Sequence, residues 1–121
     1  MQDYTSIVKH EASNQITVCF FIELDKIMAI GEKMNEINDE AYMNGYNWEA
    51  FINYYLRQNA PDVLSGMDSD PEAGLYAANY NLNPDNITRA EKLIAILKKL
   101  IENEDEIYQL VKESGDEIEW D

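Results

Sequence analysis

The sequence predicts an α+β domain: a small antiparallel sheet, formed by an N-terminal hairpin and one later strand, with about four helices packed on it. Three observations carry that expectation. The first twenty-odd residues alternate β-branched and aromatic side chains. Later segments repeat apolar residues at steps of three and four, the period of a half-buried helix. Between those segments lies a stretch with all three prolines and one short apolar run, which suits loops around a further strand.

Taken in order, Tyr4 to His10 alternates loosely, and Ile16 to Glu23 reads as a second strand. Glu11-Ala12-Ser13-Asn14 between them is a polar turn without the Asn-Gly signal of the tightest hairpins. Ile16, Val18, Phe20 and Ile22 share one face, and Cys19 and Phe21 the other. With both faces apolar, the strand is expected to be central or covered on both sides. Asp25 can cap a helix whose stripe is Ile27, Ile30, Met34, Ile37 and Ala41, weakened at Gly31 by ~1 kcal/mol relative to Ala. That helix fades at Asn38-Asp39, and Asn44-Gly45 is a turn signal.

A second helix is expected to start at Asn47, with Trp48, Phe51, Ile52, Tyr55 and Leu56 on its apolar face, and to end at Pro61. Residues 59–86 hold the three prolines, two glycines, five acids and no basic residue, with Leu75 to Tyr80 as a third strand. Thr88-Arg89-Ala90-Glu91 matches a capping box ahead of Ala90, Leu93, Ile94, Leu97, Leu100 and Ile101. Asn103-Glu104-Asp105-Glu106 resembles another cap, while Ile107, Leu110 and Val111 continue the stripe almost in phase. Residues 88–114 are therefore either one bent helix or two, ended by Gly115.

At 121 residues the chain has room for one domain, taken as 1–121. Hydrophobic residues at 45% and charged residues at 27% argue against wholesale disorder. There are 24 acidic residues against 9 basic, giving a net charge of −15. Such a chain repels phosphate, so direct nucleic-acid binding is not expected. No apolar run reaches ~18 residues, so no membrane-spanning helix is expected, and Met1-Gln2-Asp3 lacks the basic region of a secretory signal. Cys19 is the one cysteine and His10 the one histidine, which leaves no internal disulfide and no usual Cys/His zinc site. Cys19 reads as a buried small hydrophobe, and the expected compartment is the reducing cytoplasm.

Catalytic chemistry finds little support. His10 and Cys19 could meet across the hairpin as base and nucleophile, but both have ordinary places in a sheet. Asp68-Ser69-Asp70-Pro71-Glu72 resembles a calcium loop only superficially. The sixth position should be Gly and is Ala73, and the twelfth should be Glu and is Asn79. Gly31, Gly45, Gly66, Gly74 and Gly115 are too scattered for a phosphate loop. With 24 acids, carboxylate pairs arise by chance. The chain is read as a non-enzyme, with no catalytic residue, metal ligand or cofactor.

Two features remain. Tyr42, Tyr46, Trp48, Tyr54 and Tyr55 fall within fourteen residues. Helical spacing puts about half of them in the core; the rest, with Tyr76 and Tyr80, are candidate exposed anchors, since Tyr and Trp are enriched at interface hot spots. The charge is also uneven: residues 102–121 alone carry 9 acids and 1 base. Any single acid there is an ordinary solvated side chain, but the summed field attracts a basic partner and speeds its encounter.

The segment Tyr42-Met43-Asn44-Gly45-Tyr46-Asn47-Trp48-Glu49-Ala50-Phe51, after a hairpin and a helix, is similar to the Gly-x-x-Trp centre of immunity protein family fifty-one. That is a family of immunity proteins from bacterial polymorphic-toxin and contact-dependent inhibition systems. The resemblance spans most of the chain. It implies an inhibitor that neutralises a cognate toxin domain, often a nuclease, by tight binding. Binding residues vary between members of such families, so none is carried over by position. On this reading Asp68, Asp70, Glu72, Asp116, Glu117, Glu119 and Asp121 are candidate rim charges toward a basic toxin domain. Tyr76, Tyr80 and Trp120 are the candidate anchors. The alternative is an acidic DNA mimic or another regulator of a nucleic-acid-binding protein, with the same electrostatics on a different partner.

Overall fold

Alternating apolar residues fold back on themselves where Asn14 can turn the chain. In the computed structural model, which describes residues 3–121, Thr5–His10 (β1) and Gln15–Phe21 (β2) pair antiparallel, Thr5 opposite Phe20 and His10 opposite Gln15. One 3-10 turn, Glu11–Ser13, joins them, and Asn14 follows at φ 56°, a left-handed conformation that Asn tolerates. Asp68–Ser69 (β3) and Leu75–Asn81 (β4) complete a four-stranded antiparallel sheet in the order β1-β2-β4-β3. The two-residue β3 was not expected, because so short an edge carries no periodicity.

β2 is central, as its two apolar faces predict, yet only one of those faces is covered. Ile16, Val18 and Phe20 are fully buried beside Tyr80, Ala78 and Tyr76 of β4. On the opposite face Val8 and Phe21 are exposed and Cys19 is half-buried, so Cys19 is not the fully buried hydrophobe expected.

The helices are Asp25–Ile37 (α1), Gly45–Asn59 (α2), the single turn Pro61–Leu64 (α3), Pro84–Glu102 (α4) and Glu104–Ser114 (α5). Their apolar stripes fall largely where the spacing places them: Ile27, Ile30 and Met34, then Trp48, Phe51 and Ile52, then Leu93, Leu97 and Ile101, all buried in one cluster with the sheet; Ile37, at the last turn of α1, is exposed instead, and Ala41 is buried from the loop beyond the helix end.

The starts differ from expectation, and capping explains each case. Asp25 is the first residue of α1 rather than its cap, a place where its charge suits the helix dipole. Asn44 caps α2, its Oδ1 accepting the Asn47 N–H at 2.9 Å; Asn44-Gly45 is thus a helix start and not a turn. Asn83 caps α4 in the same way, accepting from the Asn86 N–H at 2.8 Å, with Pro84 in the first position, where its missing N–H is no loss. The Thr88–Glu91 capping box therefore lies inside the helix. Residues 88–114 belong to two helices. Asn103 breaks the run at φ −126°, ψ 60°, its side-chain amide donating to the Lys99 carbonyl, and three acids fill the first turn of α5. Gly115 ends α5 as its C-cap, as expected, and also opens a further 3-10 turn, Gly115–Glu117.

The buried phenols make the sheet sensitive to alkali. Tyr80 donates to the Val63 carbonyl at 2.7 Å, and burial pushes its pKa up to about 12; burial raises Tyr76 as well. An unfolded tyrosine ionises near ~10. Stability from these rings is complete below that pH and is lost as pH rises from ~10 through the folded value. Phenolate absorbance and loss of helical circular dichroism are expected to rise together in that window. A complete tyrosine titration centred near pH ~10 with the helical signal intact would contradict the burial.

Candidate interaction surface

The start of α2 is the point where separate parts of the chain meet. The Gly45 N–H donates to the Ala73 carbonyl at 3.0 Å, and the tight turn closed by the Glu72–Leu75 bridge rests directly on it. A Cβ at Gly45 would stand 1.7 Å from the Glu72 carbonyl oxygen and 2.5 Å from that of Leu75, so only glycine allows the approach. One turn on, Trp48 is 2% exposed and meets Phe20 and Phe51 edge to face at 5.1 and 5.9 Å. The Gly-x-x-Trp segment is therefore architectural at both ends: glycine admits the 72–75 turn and tryptophan fills the core below it.

Asn47 between them is buried and bonded through both its nitrogen and its oxygen. Its Nδ2 donates to the Tyr42 carbonyl at 2.7 Å, and its Oδ1 accepts the Asp121 N–H at 2.6 Å. One amide thus holds both the 38–44 loop and the last residue. The C-terminal segment has further ties: Ile118 is buried, Trp120 Nε1 donates to the Gly115 carbonyl at 3.0 Å, and Tyr54 donates to Glu117 at 2.9 Å.

Asp68, Asp70, Glu72, Asp116, Glu117, Glu119 and Asp121 are all exposed. Glu72 meets the start of α2 at Gly45 through its backbone carbonyl, and Asp121 meets it at Asn47 through its N–H. Asp116 lines a cleft of about 490 Å³ with Glu36, Asp39, Glu40 and Glu113 between α1 and α5, where Lys112 is the one cation of the lining. Asp68 and Asp70 sit apart on the β3 edge, Asp68 opposite Asn79 and Asp70 bonded through its N–H to the Ala77 carbonyl. The anchor residues need correction. Tyr76 and Tyr80 are 0% and 2% exposed, because the two-residue period of β4 turns them to the covered face with Ala78. Neither can reach a partner. Trp120 is half-buried, with its indole N–H engaged within the chain.

The exposed aromatics among the described residues are Tyr42, at 71%, and Tyr46, at 42%, both from the cluster that the sequence offered, and Phe21 on the open sheet face; Tyr42 shares a groove with Met28, exposed at 50%. The available signal was phase: Tyr46 lies off the Trp48–Phe51–Ile52 stripe, and Tyr42 lies beyond the end of α1.

The unused chemical motifs do not assemble. His10 lies opposite Gln15 and Cys19 opposite Ser6, four residues apart along β2 and therefore about 13 Å. Asp68 to Glu72 form a short strand and a tight turn. Among the described residues no group of three His, Cys, Asp or Glu side chains is placed to hold a metal ion.

Ion pairs engage four acids among the described residues, Asp3, Asp62, Glu102 and Glu104, and leave carboxylates unpaired over much of the surface. Among the described residues the ion pairs are Lys26–Glu102, Lys33–Glu104, Lys92–Asp62 and Lys98–Asp3. Lys26 holds the Glu102 carboxyl below its ordinary range, and Lys92 does the same for Asp62. Glu32, Glu36, Asp39, Glu40, Glu72 and the acids of 116–121 enter none of these pairs.

A small antiparallel sheet with helices on one face, and a strongly acidic surface most of whose carboxylates enter no ion pair among the described residues, defines an acidic α+β domain. The chain belongs to the immunity protein 51 family: the family's sequence pattern matches residues 6–116. Comparison with curated proteins and with solved structures gives no match. Among the described residues no helix is long and apolar enough to cross a membrane.

Proposed function

We propose that this chain, acting as one domain over residues 1–121, binds a cognate basic toxin domain in the cytoplasm and neutralises it without catalysis, metal or cofactor. The observation that carries this reading is the family match over residues 6–116. The unpaired carboxylates support it. A field of net charge −15 speeds the approach of a basic protein, and a nuclease is such a protein, since its substrate is a polyanion. Inhibition then requires only that the complex cover the toxin's active site or hold it inactive.

Co-expression tests this. The toxin encoded immediately upstream should kill cells alone and spare them when this chain is present; continued killing would sink the reading. In vitro, a stoichiometric complex should form more slowly as salt rises, because steering is screened beyond ~8–10 Å. Neutralising Asp116, Glu117, Glu119 and Asp121 together should chiefly lower the on-rate. Protection with an unchanged on-rate would reduce the C-terminal acids to solvated side chains.

A further inference from the structure

Gly31 sits in the middle of α1, where glycine is unfavourable by ~1 kcal/mol relative to alanine. Its position explains it. A Cβ there would stand 3.0 Å from Met43 Cβ, so the bare backbone lets the 38–44 loop close on the helix. Asn35 pins that loop by donating to the Asn38 and Asp39 carbonyls at 3.4 and 3.3 Å. The junction leaves a groove of about 220 Å³, lined by Gly31, Met43 and Trp48 and flanked by the exposed Met28 and Tyr42. That volume lies below the ~300–1,000 Å³ of small-molecule sites and suits a protein side chain. Glu32 stands on the rim, and Glu36, Asp39 and Glu40 continue into the neighbouring α1–α5 cleft; none of these acids enters an ion pair within the described residues.

We infer that this groove is where the toxin docks, taking an apolar toxin side chain flanked by lysine or arginine. The inference rests on the proposed function and adds where and by what chemistry binding occurs. An apolar slot with exposed Tyr and Met is the composition of an interface centre, with Tyr as anchor and Met as an adaptable wall. The unpaired carboxylates around it select a cationic neighbour. A larger cleft, about 590 Å³ beside β1, α1 and α4, lacks this character: Lys26–Glu102 and Lys98–Asp3 pair all of its charges but Asp25 internally, and Tyr4 donates to Glu102.

The test uses the purified toxin domain encoded beside this chain and measures Kd and rate constants. Tyr42→Ala should weaken binding by about 30-fold or more, mainly through the off-rate. Glu32→Lys should lower the on-rate and flatten its salt dependence. Phe21→Ala, on the open sheet face, should leave binding unchanged. Because Tyr42 and Glu32 are exposed, those two variants should keep the wild-type melting temperature. Wild-type binding that survives Tyr42→Ala and Glu32→Lys unaltered would overturn the groove while leaving the immunity reading intact. Absence of wild-type binding would overturn both. Concentration-dependent dimerisation of the free chain that Tyr42→Ala abolishes would assign the groove to a second copy and also overturn the inference.

Discussion

Replacing Gly45 by alanine is expected to destabilise the protein by about 4 kcal/mol, the sum of severe overpacking at up to ~3 and one lost hydrogen bond at ~1. The added Cβ would lie 1.7 Å from the Glu72 carbonyl oxygen, and both that atom and the Leu75 carbonyl at 2.5 Å are backbone, so no rotamer change relieves the clash. The 72–75 turn must lift off α2, breaking the 3.0 Å bond from Gly45 N–H to Ala73. Gly31→Ala is the matched control. Its nearest neighbour, Met43 Cβ at 3.0 Å, is carried by the backbone of the 38–44 loop, which needs to give by only a few tenths of an ångström, and alanine gains up to ~1 kcal/mol of helix propensity. Urea midpoints compare the two directly. Similar midpoints for both variants would mean that the 72–75 turn does not rest on the helix as described.

Those two glycines show what could be read in advance. Stripes of apolar residues on α1, α2 and α4 were legible because burial repeats along the helix and leaves its period in the sequence. The alternation of β2 was equally legible, and so was its central place. What escaped is contact between segments distant in sequence. Gly45 looks like half of an Asn-Gly turn until the 72–75 turn is seen against it. Tyr76 and Tyr80 looked available for a partner because β4 lies in a loop-rich, acidic stretch, and nothing local says that both point inward at Phe20 and Ile16. The helix starts were misplaced for a related reason. Several Asn and Asp residues near each start can cap, and tertiary packing selects one of them. The acidic rim was partly legible. Composition placed the acids of 116–121 at the surface, but only the buried amide of Asn47 shows that Asp121 ends beside Tyr42.

Trp48→Ala is expected to lower stability by about 3–5 kcal/mol, the range for deleting a buried aromatic. Trp48 is 2% exposed, edge-on to Phe20 of β2 at 5.1 Å and to Phe51 at 5.9 Å, so it joins the sheet to α2. It also lines the groove beside Met43, and its loss would run the core cavity into that groove. Surrounding side chains cannot close such a gap fully, which places the variant toward the costly end of the range. Trp48→Phe keeps an aromatic edge against Phe20 and should recover a good part of the loss. Denaturant unfolding of both variants checks this, with melting followed by circular dichroism, since Trp48 itself is the main buried fluorophore. The functional consequence differs from that of Tyr42→Ala. At low temperature, where the weakened core still folds, Trp48→Phe should bind the toxin with near wild-type on-rate, because the rim carboxylates are untouched. If Trp48→Ala melted within a degree or two of the wild type, the indole would not be bearing the sheet–helix contact, and the groove would have no solid floor.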